Sequence, residues 1–274
     1  MPAISGDLTT GSPPPRRQTE EIPIRLYQGY LVMVDGRIGN LDHQNLLLDT
    51  GTSPSMVAKS VAAKMSLQSA AGRVALFNKD LAAETVVLPE IQLGPIRRTN
   101  LPVIATDFSR VESELKTHID AVVGLDVLGT TSFTVDYQKR QMLFHASTER
   151  HFAAFTEGPQ FISVELKTGN RQLRLLLDTG TARLVLFSRA LRHLDYGWTA
   201  LSGTGQNISG AVSYGTVILP EARVGKEDVG PQRVSVVTTQ QNVDADFDGL
   251  IGLALLRAKR ISFDFEHQIL GWSN

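Results

Sequence analysis

The hydrophobic positions of this chain fall into short alternating runs punctuated by turn residues, and the runs recur. Tyr30 to Val34 and Phe161 to Leu166 alternate and lead to Asp35-Gly36 and Gly169-Asn170, the pattern of strands entering hairpins. Each hairpin leads into three consecutive leucines, Leu46-Leu47-Leu48 and Leu175-Leu176-Leu177, which read as buried strands. Short helical patterns follow over Met56 to Met65 and Phe187 to Leu194. Next come strand patterns closing at Leu93-Gly94 and Val224-Gly225, then strands at Leu101 to Ile104 and Val234 to Val237. Each half finishes with a short hydrophobic helix after Gly124 or Gly252 and a hairpin to Phe144 or Trp272. Phe108 to Lys116 predicts an extra helix with no counterpart in the second half. The expected fold class is all-β with minor helices.

The duplication is also written in the residues themselves. Leu46-Leu47-Leu48-Asp49-Thr50-Gly51-Thr52 returns 129 positions later as Leu175-Leu176-Leu177-Asp178-Thr179-Gly180-Thr181. Asp120-Ala121-Val122-Val123-Gly124-Leu125 returns as Asp248-Gly249-Leu250-Ile251-Gly252-Leu253. Val86-Val87-Leu88-Pro89-Glu90 pairs with Val217-Ile218-Leu219-Pro220-Glu221, and Phe133 to Tyr137 with Ile261 to Phe265. Four blocks in one order make the chain two copies of one unit, residues 25–150 and 151–274, joined near Arg150 to Pro159. Two copies are too few for a solenoid; they predict an internal pseudo-dimer about a pseudo-two-fold axis. Residues 1–24 read as a disordered extension. Up to about Glu21 they carry Pro13-Pro14-Pro15 and Arg16-Arg17 without apolar periodicity, too little to offset the entropy of ordering.

Composition narrows the function classes. The chain has 274 residues, no Cys and six His, with 27 Lys plus Arg against 28 Asp plus Glu. Without Cys there is no disulfide framework, thiolate metal site or cysteine nucleophile. The His residues show no ligand spacing, so no metal is expected. A net charge of −1 argues against nucleic acid as a partner, and no apolar run approaches the roughly 20 residues of a membrane span. The N-terminus lacks the apolar stretch of a signal peptide. That places the chain in the cytoplasm if Met1 is the true start; a truncated N-terminus leaves the periplasm or secretion open.

The chemistry lies where each leucine run ends. A carboxylate at the end of a buried strand is partly desolvated, which raises its pKa unless it is hydrogen-bonded. Gly51 and Gly180 allow a sharp turn that brings amide N–H groups near it. If the pseudo-two-fold axis brings the loops together, Asp49 and Asp178 face each other. Two such close charges share a proton, giving one base and one acid around one water. Asp120, Asp136, Asp248 and Asp264 read as turn and loop braces, and Ser55 and Ser188 as helix-start residues.

Leu-Leu-Leu-Asp-Thr-Gly-Thr, present twice, and the later Val122-Val123-Gly124 and Leu250-Ile251-Gly252 resemble the aspartic peptidases of the pepsin and retropepsin superfamily. Each half most resembles the bacterial retropepsin-like aspartyl protease domains. The resemblance covers residues 25–274 and implies the acid-protease fold, two homologous β-barrel-like lobes. It implies Asp49 and Asp178 as the catalytic dyad, with Thr50 and Thr179 interlocking the two loops. Gly51 and Gly180 would complete the loops, and Thr52 and Thr181 would place hydroxyls on the outer carboxylate oxygens. Gly124 and Gly252 would support the loops from below. The implied activity is aspartic endopeptidase, without a cofactor, on a peptide or protein bound in extended form by a monomer. The alternative is a catalytically inactive or highly restricted peptide-binding or processing protein of the same fold. The flap tyrosine of the pepsins is absent between Val74 and Val86, where Phe77 is the nearest substitute. Gly203, Gly205 and Tyr214 are the flap candidates of the second lobe.

Overall fold

A computed structural model describes residues 21–76, 79–158, 160–194, 199–207, 210–237 and 247–274. The leucine runs close the strands Leu41–Leu48 and Arg171–Leu177. All six leucines are buried. Successive side chains of a strand point to opposite faces, so three buried in a row means a strand covered on both sides. Each strand pairs in parallel with a short central strand, Ala121–Val123 or Gly249–Ile251. The other edge of that central strand pairs antiparallel with the segment that follows the Asp-Thr-Gly loop, Met56–Ala58 or Leu184–Phe187. The chain therefore leaves one side of a central strand, turns, and returns on its other side. A turn anchored at both ends to one strand has little freedom to move.

The same architecture is built twice, and it is all-β with short helices. Long hairpins follow each loop: Ala70–Leu76 with Lys79–Leu93, and Thr199–Asn207 with Gly210–Leu219. The expected closures at Gly94 and Gly225 are left-handed turns, with φ of 52° and 58°, a conformation that favours glycine. The short helices after Gly124 and Gly252 are Leu125–Leu128 and the 3-10 turn Leu253–Leu256. The expected helix at Phe108 to Lys116 is Ser109–Leu115. Residues 238–246, in the second half, lie outside the described residues.

Three expectations are corrected. Met56 to Met65 is not one helix, because Met56–Ala58 is strand, paired on both edges and fully buried, and only Lys59–Lys64 is helical. Phe187 ends a strand, and Phe187 to Leu194 contains only a 3-10 turn at Ala190–His193. Residues 21–24, assigned to the disordered extension, belong to the strand Glu21–Tyr27, where Glu21 pairs with Leu143 and Ile24 with Val34. Residues 1–20 lie outside the described residues.

The two halves are joined by one antiparallel sheet of six strands. Its order is Glu21–Tyr27, Gln141–Phe144, Phe133–Asp136, Arg260–Asp264, Ile269–Ser273 and His151–Glu157. The pseudo-symmetry runs between the two middle strands, where Phe133 pairs with Phe263 and their rings stack at 4.6 Å. Beside them the Thr134 hydroxyl donates to Ser262 Oγ at 3.0 Å. One hydrophobic core runs through both halves, and a smaller cluster of Leu176, Phe187, Val237 and Leu250 sits in the second. No described helix is long and apolar enough to cross a membrane.

Candidate active site

The two Asp-Thr-Gly loops meet, and their geometry is matched bond for bond. The Asp49 N–H donates to Val123 O and the Asp178 N–H to Ile251 O, both at 3.0 Å, tying each loop to its central strand. The Gly51 N–H donates to Asp49 Oδ1 at 2.8 Å and the Gly180 N–H to Asp178 Oδ1 at 2.7 Å. Between the loops the threonines interlock. The Thr50 N–H donates to Thr179 Oγ1 at 2.9 Å, and the Thr179 N–H to Thr50 Oγ1 at 3.2 Å. Each hydroxyl passes its own proton to the opposite strand, Thr50 to Leu177 O at 2.9 Å and Thr179 to Leu48 O at 3.2 Å. Both threonines are buried. Both hydroxyls and both N–H groups of this knot are therefore paired, as a buried polar network requires.

Glycine is required by close approach at four positions. A Cβ on Gly51 would stand 2.5 Å from the Asp178 carboxyl carbon, and one on Gly180 2.8 Å from Asp49 Oδ2. A Cβ on Gly124 would meet Thr52 O at 2.3 Å, and one on Gly252 would meet Thr181 O at 2.2 Å. Gly124 and Gly252 thus let the central strands pass directly beneath the loops.

Asp49 and Asp178 are only partly open to solvent, and each carboxyl lies against the glycine of the opposite loop. Burial pushes the Asp178 carboxyl well above the ordinary aspartate range, and the neighbouring Asp49 charge adds to the rise. Asp49 is raised by burial too, but the Gly51 N–H, the Asp178 side chain and the Gly180 N–H oppose the rise. The pair therefore keeps one proton at a pH where separate carboxyls have lost theirs.

The threonine hydroxyls expected on the outer carboxylate oxygens do not reach them. Among the described residues no hydrogen bond joins the Thr52 or Thr181 hydroxyl to either Asp side chain. The backbone closes each loop instead, with the Thr52 N–H donating to Asp49 O at 3.3 Å and the Thr181 N–H to Asp178 O at 3.4 Å. Of the flap candidates, Gly203 and Gly205 lie in the second hairpin, opposite Tyr214 and Val212. Tyr214 packs on the cluster of Leu176, Phe187, Val237 and Leu250. Phe77 lies outside the described residues.

Sequence reading missed three residues at the site. Tyr30 stands close enough to the pair for both carboxylates to help raise its phenol pKa, after burial, which is the largest cause. Ser55 is no helix start. Its hydroxyl donates to Asp126 Oδ1 at 2.5 Å and accepts the Gly124 N–H at 2.8 Å, while its own N–H donates to Asp126 Oδ2 at 2.9 Å. Asp126 thereby braces the first loop; its counterpart in the second half is Ala254, so the repeat carried no signal for it.

A duplicated ψ-shaped turn, two facing Asp-Thr-Gly loops and a shared sheet define the acid-protease scaffold. The chain belongs to the aspartyl protease family, as a tandem retropepsin-like member: the family model matches residues 34–127 and again 163–255. No curated protein shows a significant match to the chain.

Proposed function

We propose that the chain is an aspartic endopeptidase in which Asp49 and Asp178 carry the reaction. The observation that supports this most is the threonine interlock, which holds two neighbouring carboxyls, both raised by burial, at the meeting point of the halves. One carboxyl of the pair holds the proton and the other is the base; with the proton on Asp178, Asp49 is the base. Asp49 takes a proton from a water as the water oxygen adds to a peptide carbonyl carbon. Asp178 gives its proton to the carbonyl oxygen, which leaves a neutral tetrahedral diol. Asp49 then protonates the amide nitrogen and Asp178 removes a proton from one hydroxyl. The C–N bond breaks, the products are an acid and an amine, and the pair regains its starting state. The substrate lies extended between the loops and the two long hairpins.

The test is cleavage of a diverse peptide mixture from pH 3 to 7, with and without pepstatin, by the wild type and by Asp49→Asn and Asp178→Asn. Each variant is expected to lose roughly 10²- to 10⁴-fold in kcat/KM, the scale of positioned acid–base catalysis. No cleavage by the wild type at any pH, or full activity in either variant, overturns the reading.

A further inference from the structure

A pocket lies beside the pair, and one residue lining it is charged where its counterpart in the first half is not. Gln28, Gly29 and Tyr30 form the turn between the strands Glu21–Tyr27 and Leu31–Ile38. They face Thr181, Ala182 and Arg183, the residues just after the second Asp-Thr-Gly, across a pocket of about 480 Å³. That volume lies in the usual range of ligand sites, about 300–1,000 Å³. The pocket adjoins the reacting groups. The Thr181 N–H donates to the Asp178 backbone carbonyl at 3.4 Å, and both Asp49 and Asp178 act on the Tyr30 phenol.

Arg183 sets its electrostatic character. The side chain is exposed, and among the described residues no carboxylate pairs with it. Its charge is felt at Tyr30, where it lowers the phenol pKa against the raising effects of burial, Asp178 and Glu114. Glu114 is itself exposed, on the helix Ser109–Leu115, and makes no ion pair with Arg183 among the described residues. The matching position of the first half is Pro54, which has no charge and no donor. At these matching positions the guanidinium therefore stands beside the second loop and not the first. A fork of N–H donors beside a half-buried aromatic wall suits a carboxylate, because both oxygens can be met at once while the ring excludes water.

We propose that this pocket is a subsite for an acidic side chain of the bound peptide, with Arg183 as the residue that sets the preference. The proposal rests on the peptide-cleaving reading above for the nature of the ligand, and its test separates the two. A randomised peptide library is passed over immobilised full-length Asp49→Asn, and retained peptides are sequenced. In parallel the soluble wild type is scored for cleavage sites in the same library. Both arms are repeated with Arg183→Gln, Arg183→Glu and, as an equal change of charge on an outer strand, Arg223→Gln.

Asp or Glu is expected to be enriched at one fixed peptide position. The enrichment should fall about five- to tenfold in Arg183→Gln, the scale of one partly exposed charge-assisted contact. It should turn toward Lys and Arg in Arg183→Glu and persist in Arg223→Gln. No acidic enrichment, enrichment that survives Arg183→Gln, an equal loss in Arg223→Gln, or no retained peptide at all overturns the subsite. Retention selected for acid with no cleavage by the wild type leaves the subsite standing and removes the peptidase. Cleavage without acidic selection does the reverse.

Discussion

Asp49 and Asp178 occupy loops identical in sequence over seven residues, and burial raises both carboxyls. Two neighbouring negative charges in one buried site repel, which adds to the rise. Because the folded-state pKa of Asp178 is raised, the folded protein keeps a proton that the unfolded chain releases near the ordinary aspartate value of about 3.9. The stability linked to that proton is complete below the ordinary value and is lost as pH rises through the raised one. Asp178→Asn cannot ionise, so its melting temperature should gain on the wild type as pH goes from 3 to 8, with the two converging at the acid end. An offset that is constant with pH would contradict this. In activity, the falling limb of the pH profile should lie above the ordinary carboxylate range. Thr50→Val is close to isosteric but strips both hydroxyl bonds of the knot, leaving Leu177 O and the Thr179 N–H without partners. A cost of about 1–3 kcal/mol is expected for such buried unpaired groups, to be read by chemical denaturation. These residues were legible in the sequence because the motif is local and occurs twice. The hydroxyls of Thr52 and Thr181 bond neither carboxyl, and the backbone closes each loop through the Thr52 and Thr181 N–H groups on the Asp49 and Asp178 carbonyls, bonds that residue type does not reveal.

At the scale of elements, the loops are held by carboxylates that act on strands. The Asn45 N–H donates to Asp120 Oδ2 at 2.8 Å, and the Arg174 N–H donates to Asp248 Oδ2 at 2.9 Å. Each bond links the strand that enters an Asp-Thr-Gly loop to the start of the central strand beneath it. Asp136 and Asp264 cap their hairpin turns in the same matched way, through the N–H groups of Lys139 and His267. The bracing role expected for all four is what the structure shows. Asp120→Ala should cost about 1–3 kcal/mol and lower kcat more than it raises KM, since a shifted loop spoils alignment before it spoils binding. Steady-state kinetics beside a melting curve tests this; a change in KM alone would refute it. Helix and strand were confused only at Met56 to Ala58 and at Phe187. A run of buried apolar residues has the same pattern in a buried strand and in a buried turn of helix, so periodicity could not separate them.

For the whole molecule, the decisive feature is that neither half is closed without the other. The six-stranded sheet pairs Phe133–Asp136 with Arg260–Asp264, and the threonine knot exchanges hydrogen bonds between the halves at the site. One half cannot unfold without exposing the Phe133–Phe263 stack and unpairing the knot. Calorimetry should therefore give one transition, with van't Hoff and calorimetric enthalpies in agreement; two resolved transitions would show that the halves are independent. Phe263→Ala, at a fully buried position of that seam, should cost about 3–5 kcal/mol and shift that transition as a unit.

The sequence by itself determined the duplicated unit, the strand-rich class, the paired aspartates and the glycines and threonines of their loops. Each of these is a short-range pattern, and the second copy confirms the first. Only the tertiary structure decided that the two aspartates are buried together, that Ser55 and Asp126 brace the first loop, and that Tyr30 and Arg183 meet beside the pair. Those outcomes depend on groups 71 to 153 residues apart in the chain. Burial and charge act through space, and no local pattern of residues encodes the distances on which they depend.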